Sequence, residues 1–415
     1  GVITPAILIA DTCGLSSADK TLMIQVSLIL TALATLLQLF PIFHRIGSGL
    51  PVIMGISFAY IPTLQAIGGE FGLPTILGAE IVGGIVAIVF GVLVKWIRPL
   101  FPPLVTGTVI FTIGLSLYPT AVKYMAGGAG SEWFGSAKSW AVALITLAVV
   151  VFLNHFTKGI TKLASILIGI LAGYVIAYFL GIVDLSGVGS AAWVALPRPM
   201  PFDIQFVPAA CVSLGIVYVV NAVQTIGDLS STTMGGMDRM PTDKELSGGI
   251  VGQGVMSILG AFFGGLPAAT YSQNVGIVTV NRVINRAVFA LAALILLVAG
   301  LVPKFASLLT TIPSCVLGGA TVSVFAMIAM TGIKLITKEK LTARNTSVVG
   351  LAVALGIGVI QANGCLALFP DWARTIFGES AVVIATITAV TLNLILPEAE
   401  EEREAGAAKI ARANG

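Results

Sequence analysis

The sequence predicts an all-α polytopic membrane protein of fourteen transmembrane segments, arranged as two inverted repeats of seven. Three observations support this fold class. Apolar residues make up 57% of the 415 residues and charged residues only 10%, against roughly 25% charged residues in soluble domains. The apolar residues fall into long runs separated by short polar loops. Two of these runs are interrupted in the same way, and they lie seven segments apart.

The first apolar segment is a fragment that ends near Asp11. A spanning helix needs about 20 residues, so we expect the first half of this helix to precede Gly1. The other thirteen predicted segments cover residues 22–43, 50–67, 74–95, 100–122, 139–157, 160–182, 205–227, 246–264, 266–283, 285–302, 306–332, 346–361 and 380–397.

The third segment is irregular, with Pro51, Gly55 and Pro62 inside it. Its β-branched and aromatic residues suit a short extended piece, and Pro62 is well placed to open a half helix. The tenth segment occupies the same position in the second set of seven, and a repeat of odd number must be inverted in the membrane. The alternative is two unrelated proline-kinked helices, but the matching position favours an inverted-repeat transporter.

The tenth segment lies within residues 266–286, the stretch around which the chain is organised. Gln273 and Asn274 stand side by side in its middle, after a break at Gly264, Gly265 and Pro267. Inside a bilayer every polar group needs a partner, so two amides in a broken segment are tolerated only against protein or a polar cavity. Interrupted segments of this kind indicate the central binding site of a secondary transporter.

The positions of Lys and Arg predict the orientation. With both termini in the cytoplasm, the inner loops and the tail carry most of the 22 Lys and Arg residues, as the positive-inside rule requires. The five Trp residues fall at segment ends or in loops, where interfacial anchors occur. His44 and His155 lie at segment ends and are interpreted as interfacial. We therefore expect an integral protein of the plasma membrane, in bacteria the inner membrane.

Several polar side chains lie within the predicted segments, where ionisable groups are costly and functional by default. Asp228 ends the eighth segment, and Gln224 lies four residues before it on the same helix face. Glu80 lies in the fourth segment and Gln253 in the ninth. The alternatives are an interfacial helix end for Asp228 and a structural hydrogen bond between packed helices for Glu80.

The sequence carries no recognised enzyme motif. HExxH, GxSxG and GxxxxGK[ST] are absent, and the four Cys residues are scattered. We therefore predict no enzyme, no catalytic residue, no metal site, no cofactor and no nucleic-acid partner. Without a nucleotide-binding loop, uphill transport needs an ion gradient, with the proton as the expected ion and sodium as the alternative.

Three short motifs carry a family resemblance. Segment ten reads QNVG at 273–276 followed by NR at 281–282, segment eight reads QTIGD at 224–228, and segment three reads GISFA at 55–59. These motifs resemble the signatures of the nucleobase–ascorbate transporter family, also called nucleobase–cation symporters of the second type. The resemblance covers essentially the whole chain. Asn281 stands where the family usually has Thr.

This resemblance implies a core domain and a gate domain, each drawn from both halves of the chain. The core would comprise residues 1–95 and 205–302, the gate residues 100–182 and 306–397, and the cytoplasmic tail residues 398–415. Two short antiparallel strands, in segments three and ten, would meet near the midplane. The resemblance also implies a homodimer formed through the gate domain, in contact with the lipid bilayer.

The resemblance places the substrate between the two strands, facing segment eight. The implied substrate-binding residues are Phe58, Gln224, Tyr271, Ser272, Gln273 and Asn274. Coupling or structural roles are assigned to a second polar set: Asp228, Glu80, Gln253, Ser57 and Gly276. An amide both donates and accepts hydrogen bonds, so Gln273 can pair with the edge of a nucleobase in a fixed orientation.

The resemblance also bears on substrate and coupling. Gln273 and Asp228 are similar to purine-transporting members, whereas uracil-transporting members tend to carry Glu and His there. The expected function is import of a purine, xanthine or urate, by ion-coupled symport with alternating access. Gln224 and Gln253 stand where the family has acids, so Asp228 or Glu80 would carry the coupling charge. Asp228 is favoured because it lies one helical turn from Gln224.

Rival functions come from other classes. They are a uracil permease of the same family, an anion transporter of the related inverted-repeat fold, a passive channel, and a membrane sensor that binds a base without moving it. The nucleobase motif argues against the anion transporter, as does a tail of only 18 or so residues after Pro397, because such carriers often have a soluble regulatory domain attached.

Overall fold

The computed structural model describes residues 2–43, 45–185, 188–189, 192–271, 274–275, 278, 282–362, 364–378 and 380–397. Most of these residues are helical. The helices of eight or more residues, numbered in chain order, are α1 (Ile3–Thr12), α2 (Ser17–Leu39), α3 (Ile61–Phe71), α4 (Leu73–Val92), α5 (Pro103–Met125), α6 (Ala137–Phe156), α7 (Ser165–Phe179), α8 (Pro208–Met237), α9 (Asp243–Phe263), α10 (Arg286–Gly300), α11 (Pro303–Thr310), α12 (Ser314–Ile336), α13 (Ala343–Gln361) and α14 (Ala381–Ile395). Two strands, β1 (Met54–Ile56) and β2 (Ala268–Thr270), interrupt the helical chain.

Several of these helices have the length and composition of membrane spans. In the described part of the chain, eight helices are long and apolar enough to cross a bilayer, or nine if α10 and α11 are one bent span. Backbone polar groups in hydrocarbon must be satisfied internally, and helices satisfy them within one segment. The chain is therefore a mostly helical integral membrane protein.

Side-chain caps explain where several helices begin. The Ser16 hydroxyl accepts from the Asp19 amide at the start of α2, and the Ser136 hydroxyl does the same for Ser139 at the start of α6. The start of α9 is a capping box, in which Thr242 and Glu245 satisfy each other's backbone amides. Such caps pair amides that have no partner within the helix. Arg239 also pairs with Glu245 at 2.6 Å.

The helices form two groups according to which helices touch. In the first group, α4 packs against α8 and α9, while α2 packs against α10 and α11. In the second group, α5 packs against α12 and α14, α12 against α6, and α13 against α14. The first group comes from residues 3–92 and 208–310, and the second from residues 103–179 and 314–395.

Small residues allow the closest of these helix contacts, between α5 and α12. A Cβ atom at Gly107 would lie 2.8 Å from the Gly332 carbonyl oxygen, and one at Gly114 would lie 2.6 Å from the Ala329 Cα. Helices in a membrane gain no hydrophobic driving force from meeting, so they rely on such close backbone packing. Gly107, Gly114 and Gly332 therefore serve helix packing.

Two predicted segments differ from the structure. The eighth segment does not end at Asp228, because α8 continues to Met237. The Thr233 hydroxyl donates back to the Leu229 carbonyl oxygen at 3.0 Å, and Asp238 ends the helix in a left-handed conformation. The predicted segment at 306–332 is not continuous either. α11 is bent 82° from α10, and Pro313 separates α11 from α12.

Candidate functional site

The candidate site is built around the two strands. β1 and β2 pair antiparallel, with Gly55 opposite Ala269. The pairing continues one residue further, where the Tyr271 amide donates to the Ile53 carbonyl oxygen at 3.1 Å. Side-chain hydroxyls cover the outer edges of this small sheet: Thr35 accepts from the Met54 amide and Ser257 accepts from the Ala268 amide. The antiparallel strand pair predicted for segments three and ten is therefore confirmed.

A tight turn follows β1 and places Phe58. The Ser57 hydroxyl accepts from the Ala59 amide at 3.1 Å and caps a 3-10 turn over Phe58–Tyr60. α3 begins directly after it, with Pro62 in its first turn, as predicted. The Phe58 ring is buried and meets the Phe325 ring of α12 edge to face, with centroids 5.2 Å apart. Phe58 thus lies where the first helix group contacts the second.

Asp228 faces the end of β2. The Thr270 hydroxyl donates to Asp228 Oδ2 at 2.6 Å, and the Asp228 side chain is buried. Asp228 lies in α8 one turn after Gln224, which is half-buried. The structure therefore brings the predicted pair on α8 to the strand that leads into residues 272–276.

Gln253 is the centre of a buried hydrogen-bonded cluster. Its carbonyl oxygen accepts from the Thr225 hydroxyl at 2.7 Å, and its amide donates to the Tyr60 hydroxyl at 3.2 Å. The same amide also donates to Asn221 on α8. Gln253 is fully buried, so these three partners satisfy an amide that would otherwise be costly in the membrane. Gln253 ties α9, α8 and the turn after β1 together.

Glu80 of α4 is a further buried polar residue of the predicted set. Its side chain is 0% exposed, and neither carboxylate oxygen has a hydrogen-bond partner among the described residues. Glu80 lies against Gly260 of α9, where an added Cβ would be 3.4 Å from its Oε1. One turn further along α4, a Cβ at Gly83 would overlap the ring of Tyr218, which lies 4.9 Å from the ring of Tyr60.

The predicted residues of segment ten are described only in part. Tyr271 lies against β1, and a Cβ at Gly55 would overlap its ring. The backbone amide of Asn274 donates to the Tyr271 carbonyl oxygen at 3.1 Å. The side-chain nitrogen of Asn274 has no hydrogen-bond partner among the described residues. Ser272, Gln273 and Gly276 lie outside the described residues, as does His44.

Sequence reasoning missed several members of the site. Thr225, Thr270, Tyr60 and Phe325 were not singled out, although each contacts a predicted residue. A tyrosine in an apolar segment signals a partner, because a buried phenol needs a hydrogen bond. Thr225 stands directly beside Gln224 in the predicted motif. No sequence signal points to Phe325, since a phenylalanine in an apolar helix is ordinary.

Two polar cavities lie at the end of the bundle where α2 begins. Their volumes are about 460 Å³ and 580 Å³, and both are lined by Asp11, Lys20, Ser131 and Ser314. Beside them, the Tyr124 hydroxyl of α5 donates to Asp11 Oδ2 at 2.8 Å. These contacts join α5 of the second helix group to α1 of the first.

Further contacts between the groups occur deeper in the bundle. The Thr120 hydroxyl of α5 donates to Gln65 Oε1 of α3 at 3.2 Å. The hydroxyls of Thr63 and Ser380 share a buried hydrogen bond of 2.7 Å. With the Phe58–Phe325 contact, these bonds close the seam between the groups from the α2 end down to the strands.

Comparison with known proteins identifies relatives of the chain over most of its length. A family model described as "Permease family" matches residues 1–364. The chain is similar to the xanthine permease of Bacillus subtilis, with 36% identity over 95% of this chain and 90% of the relative. It is also similar to the uric acid permease PucK of Bacillus subtilis, with 35% identity over 95% of this chain and 91% of the relative.

A solved structure with a similar fold has a different cargo in its name. The transmembrane domain of a cyanobacterium bicarbonate transporter, BicA, superposes with a TM-score of 0.62. The match covers 94% of both chains at 17% sequence identity. At this identity the likeness concerns the fold alone.

Proposed function

The chain belongs to the nucleobase–ascorbate transporter family, and from this premise we propose that it carries a purine nucleobase, xanthine or urate, across the membrane. Its relatives are permeases rather than enzymes. The single observation that carries the proposal is the β1–β2 pair. It brings β2, which leads into Gln273 and Asn274, against Asp228, and it pairs β2 with β1, which leads into Phe58.

The proposed binding geometry follows from the chemistry of a nucleobase. A purine offers a flat face and an edge of alternating donors and acceptors. Phe58 would contact the face, while Gln273 and Gln224 would pair with the edge, since an amide supplies both kinds of hydrogen-bonding group. Tyr271, Ser272 and Asn274 would line the remaining sides. A base with the wrong edge leaves a buried amide unpaired, so the amides discriminate as well as bind.

The proposed transport cycle is alternating access. We assign the first helix group to a core domain and the second to a gate domain, in fourteen segments related as two inverted repeats of seven. The contacts of Tyr124 with Asp11 and of Phe58 with Phe325 lie between the groups. In the proposed orientation, with both termini cytoplasmic, they close the outer side. Opening them would admit substrate from outside.

Two further parts of the proposal concern partners. A proton gradient is the proposed driving force, with sodium as the alternative. A homodimer through the gate domain is supported by the exposed apolar faces of α6 and α13. In the apolar windows of these helices only 28% and 22% of the residues are buried within the chain, so their remaining surface faces lipid or a second copy.

The proposal is tested by counterflow in proteoliposomes. Purified protein is reconstituted with unlabelled xanthine inside, and entry of labelled xanthine, urate, uracil or bicarbonate is followed. We expect saturable entry of the two purines only. Entry of uracil or bicarbonate instead would identify one of the rival transporters. Binding without exchange would identify a sensor, and entry independent of internal base would identify a channel.

Gln224 provides a residue-level prediction. If its amide pairs with the base, Gln224→Ala should raise the KM for xanthine roughly tenfold, the effect of one lost buried hydrogen bond. Gln224→Glu should recover part of that loss and add a pH dependence, because a carboxyl group donates a hydrogen bond when protonated and only accepts when ionised. Counterflow at several pH values measures both effects. Identical pH profiles for the parent and Gln224→Glu would contradict the assigned contact.

A further inference from the structure

Glu80 is a buried carboxyl group that the proposed binding geometry does not use. It is the only charged residue within α4, it is 0% exposed, and its oxygens have no hydrogen-bond partner among the described residues. An ionised carboxylate left in this state is costly in a membrane interior. The group is therefore held neutral here, and ionising it must draw donors towards it.

The donors available to an ionised Glu80 are two phenols. The Tyr218 ring lies against α4 at Gly83, one turn after Glu80, where an added Cβ would overlap it. The Tyr60 ring is 4.9 Å from that of Tyr218, and both tyrosines are fully buried. The Tyr60 oxygen already accepts from the Gln253 amide, which leaves its own O–H free to donate elsewhere. A carboxylate at Glu80 accepts such a bond, whereas a protonated Glu80 does not require it.

No other titratable group described in the structure confronts Glu80 from the elements packed against α4. α9 faces it with Gly260, and the acid of α3, Glu70, is exposed at the far end of that helix. Asp228 lies ten residues beyond Tyr218 in α8, about 15 Å along the helix axis. Asp228 is therefore too far along α8 to share a proton with Glu80.

A continuous chain of polar side chains runs from Tyr60 to the candidate substrate site. Tyr60 contacts Gln253, Gln253 contacts Thr225, and Thr270 of β2 donates to Asp228. The Thr270 and Thr225 hydroxyls are 3.5 Å apart, which closes the chain. Tyr60 also ends the turn that carries Phe58. A movement of the Tyr60 hydroxyl towards Glu80 therefore reaches both Phe58 and β2.

We propose that Glu80 is the proton-binding residue that couples purine transport to the proton gradient, acting on the substrate site through Tyr60 and Gln253. The inference rests on the proposed transport function and adds the identity of the coupling group. Sequence analysis favoured Asp228 for this role. In the structure Asp228 holds the Thr270 hydroxyl of β2 at 2.6 Å, which gives it a separate role as an acceptor that positions the strand.

Glu80 acts as a positioning residue towards the substrate, and its cycle involves one proton. The carboxylate binds a proton when the site is open to the acidic side, after which it no longer draws the Tyr60 O–H towards it. Loss of the proton on the opposite side restores the carboxylate and its bonds from the phenols. No covalent bond other than O–H is made or broken.

The test uses the full chain in proteoliposomes that contain a pH-sensitive dye. In the parent, xanthine entry should acidify the interior, and an inward proton gradient should accumulate xanthine above its external concentration. Glu80→Gln has the same shape and no titratable proton. It should abolish both acidification and accumulation, keep xanthine counterflow near the parental rate, and flatten the pH profile. Glu132→Gln, at an exposed loop position, is the matched control and should behave as the parent.

Each outcome has a distinct meaning. Acidification by Glu80→Gln equal to that of the parent would overturn the assignment. If the unmutated protein exchanges xanthine without acidifying the interior, or only with sodium present, the assignment would be overturned while purine transport stays intact. Absence of xanthine counterflow in the unmutated protein would instead refute the proposed function. If Glu80→Gln is poorly folded, Glu80→Asp retains the carboxyl but shifts its position: a changed pH profile of xanthine accumulation supports the assignment, and a pH profile equal to that of the parent overturns it.

Discussion

Replacing Gly55 with alanine is expected to weaken purine binding and uptake while the helix bundle remains folded. Gly55 lies in β1 opposite Ala269, and the ring of Tyr271 crosses directly over it, so that a Cβ atom would overlap the ring. Tyr271 cannot retreat with its backbone, because its amide is bonded to the Ile53 carbonyl oxygen. One methyl group therefore separates the strands or expels the ring from the site.

The expected size of this effect follows from overpacking. Inserting a methyl group into a closed site costs about 1–3 kcal/mol, which corresponds to a roughly fivefold to hundredfold loss of affinity if the strain falls on the bound state. Xanthine binding to purified protein and counterflow in proteoliposomes measure the loss. The size-exclusion profile should stay parental, because the strain is local to the strands.

A matched glycine isolates the cause. Gly215→Ala adds the same methyl group inside α8, where the nearest atom, Val86 Cγ2, is 3.6 Å away. This is an ordinary contact, and alanine favours the helix more than glycine does, so uptake should remain parental. Parental xanthine binding by Gly55→Ala would show that the Tyr271 ring does not occupy the space above β1 in the binding state.

The position of these strands could be predicted because proline and glycine make a segment unfit to span a membrane as one helix. Pro51 and Gly55 interrupt the third segment, and Gly265 and Pro267 interrupt the tenth. Inverted-repeat transporters place their sites at such paired breaks. The register of the strands was beyond sequence reasoning, since it depends on which residues meet across a separation of more than 200 positions.

The length of α8 could not be read from its sequence. Residues 229–237 contain Ser, Thr and Gly, which favour loops when water competes for their hydrogen bonds. In the packed bundle Thr232 and Thr233 are buried, and the Thr233 hydroxyl donates a hydrogen bond to the helix backbone. Packing thus extends the helix well beyond Asp228. The break between α11 and α12 was missed for the opposite reason, because a single proline, Pro313, divides an apolar run.

The candidate site was predictable by residue type and only partly by contact. Gln253 was singled out as a polar residue in an apolar helix, but its partner Tyr60 is 193 residues away. Glu80 was singled out as well, yet nothing in sequence shows that the Tyr218 ring packs against α4 one turn after it. Long-range pairings of this kind arise from the packing of α4, α8 and α9, which local patterns do not encode.

A second large effect is expected at the seam between α5 and α12. Gly114→Leu should prevent the protein from folding to a monodisperse state. A Cβ atom at Gly114 would lie 2.5 Å from the Ala329 backbone nitrogen and 2.6 Å from its Cα. The obstructing atoms are backbone, so no side chain can turn away, and the helices must separate. Overpacking of this kind costs about 3 kcal/mol or more.

The consequence extends beyond one contact because α12 also carries Phe325, which meets Phe58. Displacing α12 from α5 removes the surface against which the strand-bearing group closes. We therefore expect the folded peak in size-exclusion chromatography to be lost. Any protein that remains folded should show no xanthine counterflow. Gly350→Leu is the control, since Gly350 lies in α13 with no atom within 4 Å of the added Cβ. It should give parental yield and thermal stability. A parental profile for Gly114→Leu would mean that α5 and α12 are further apart in the membrane than the Gly114–Ala329 contact requires.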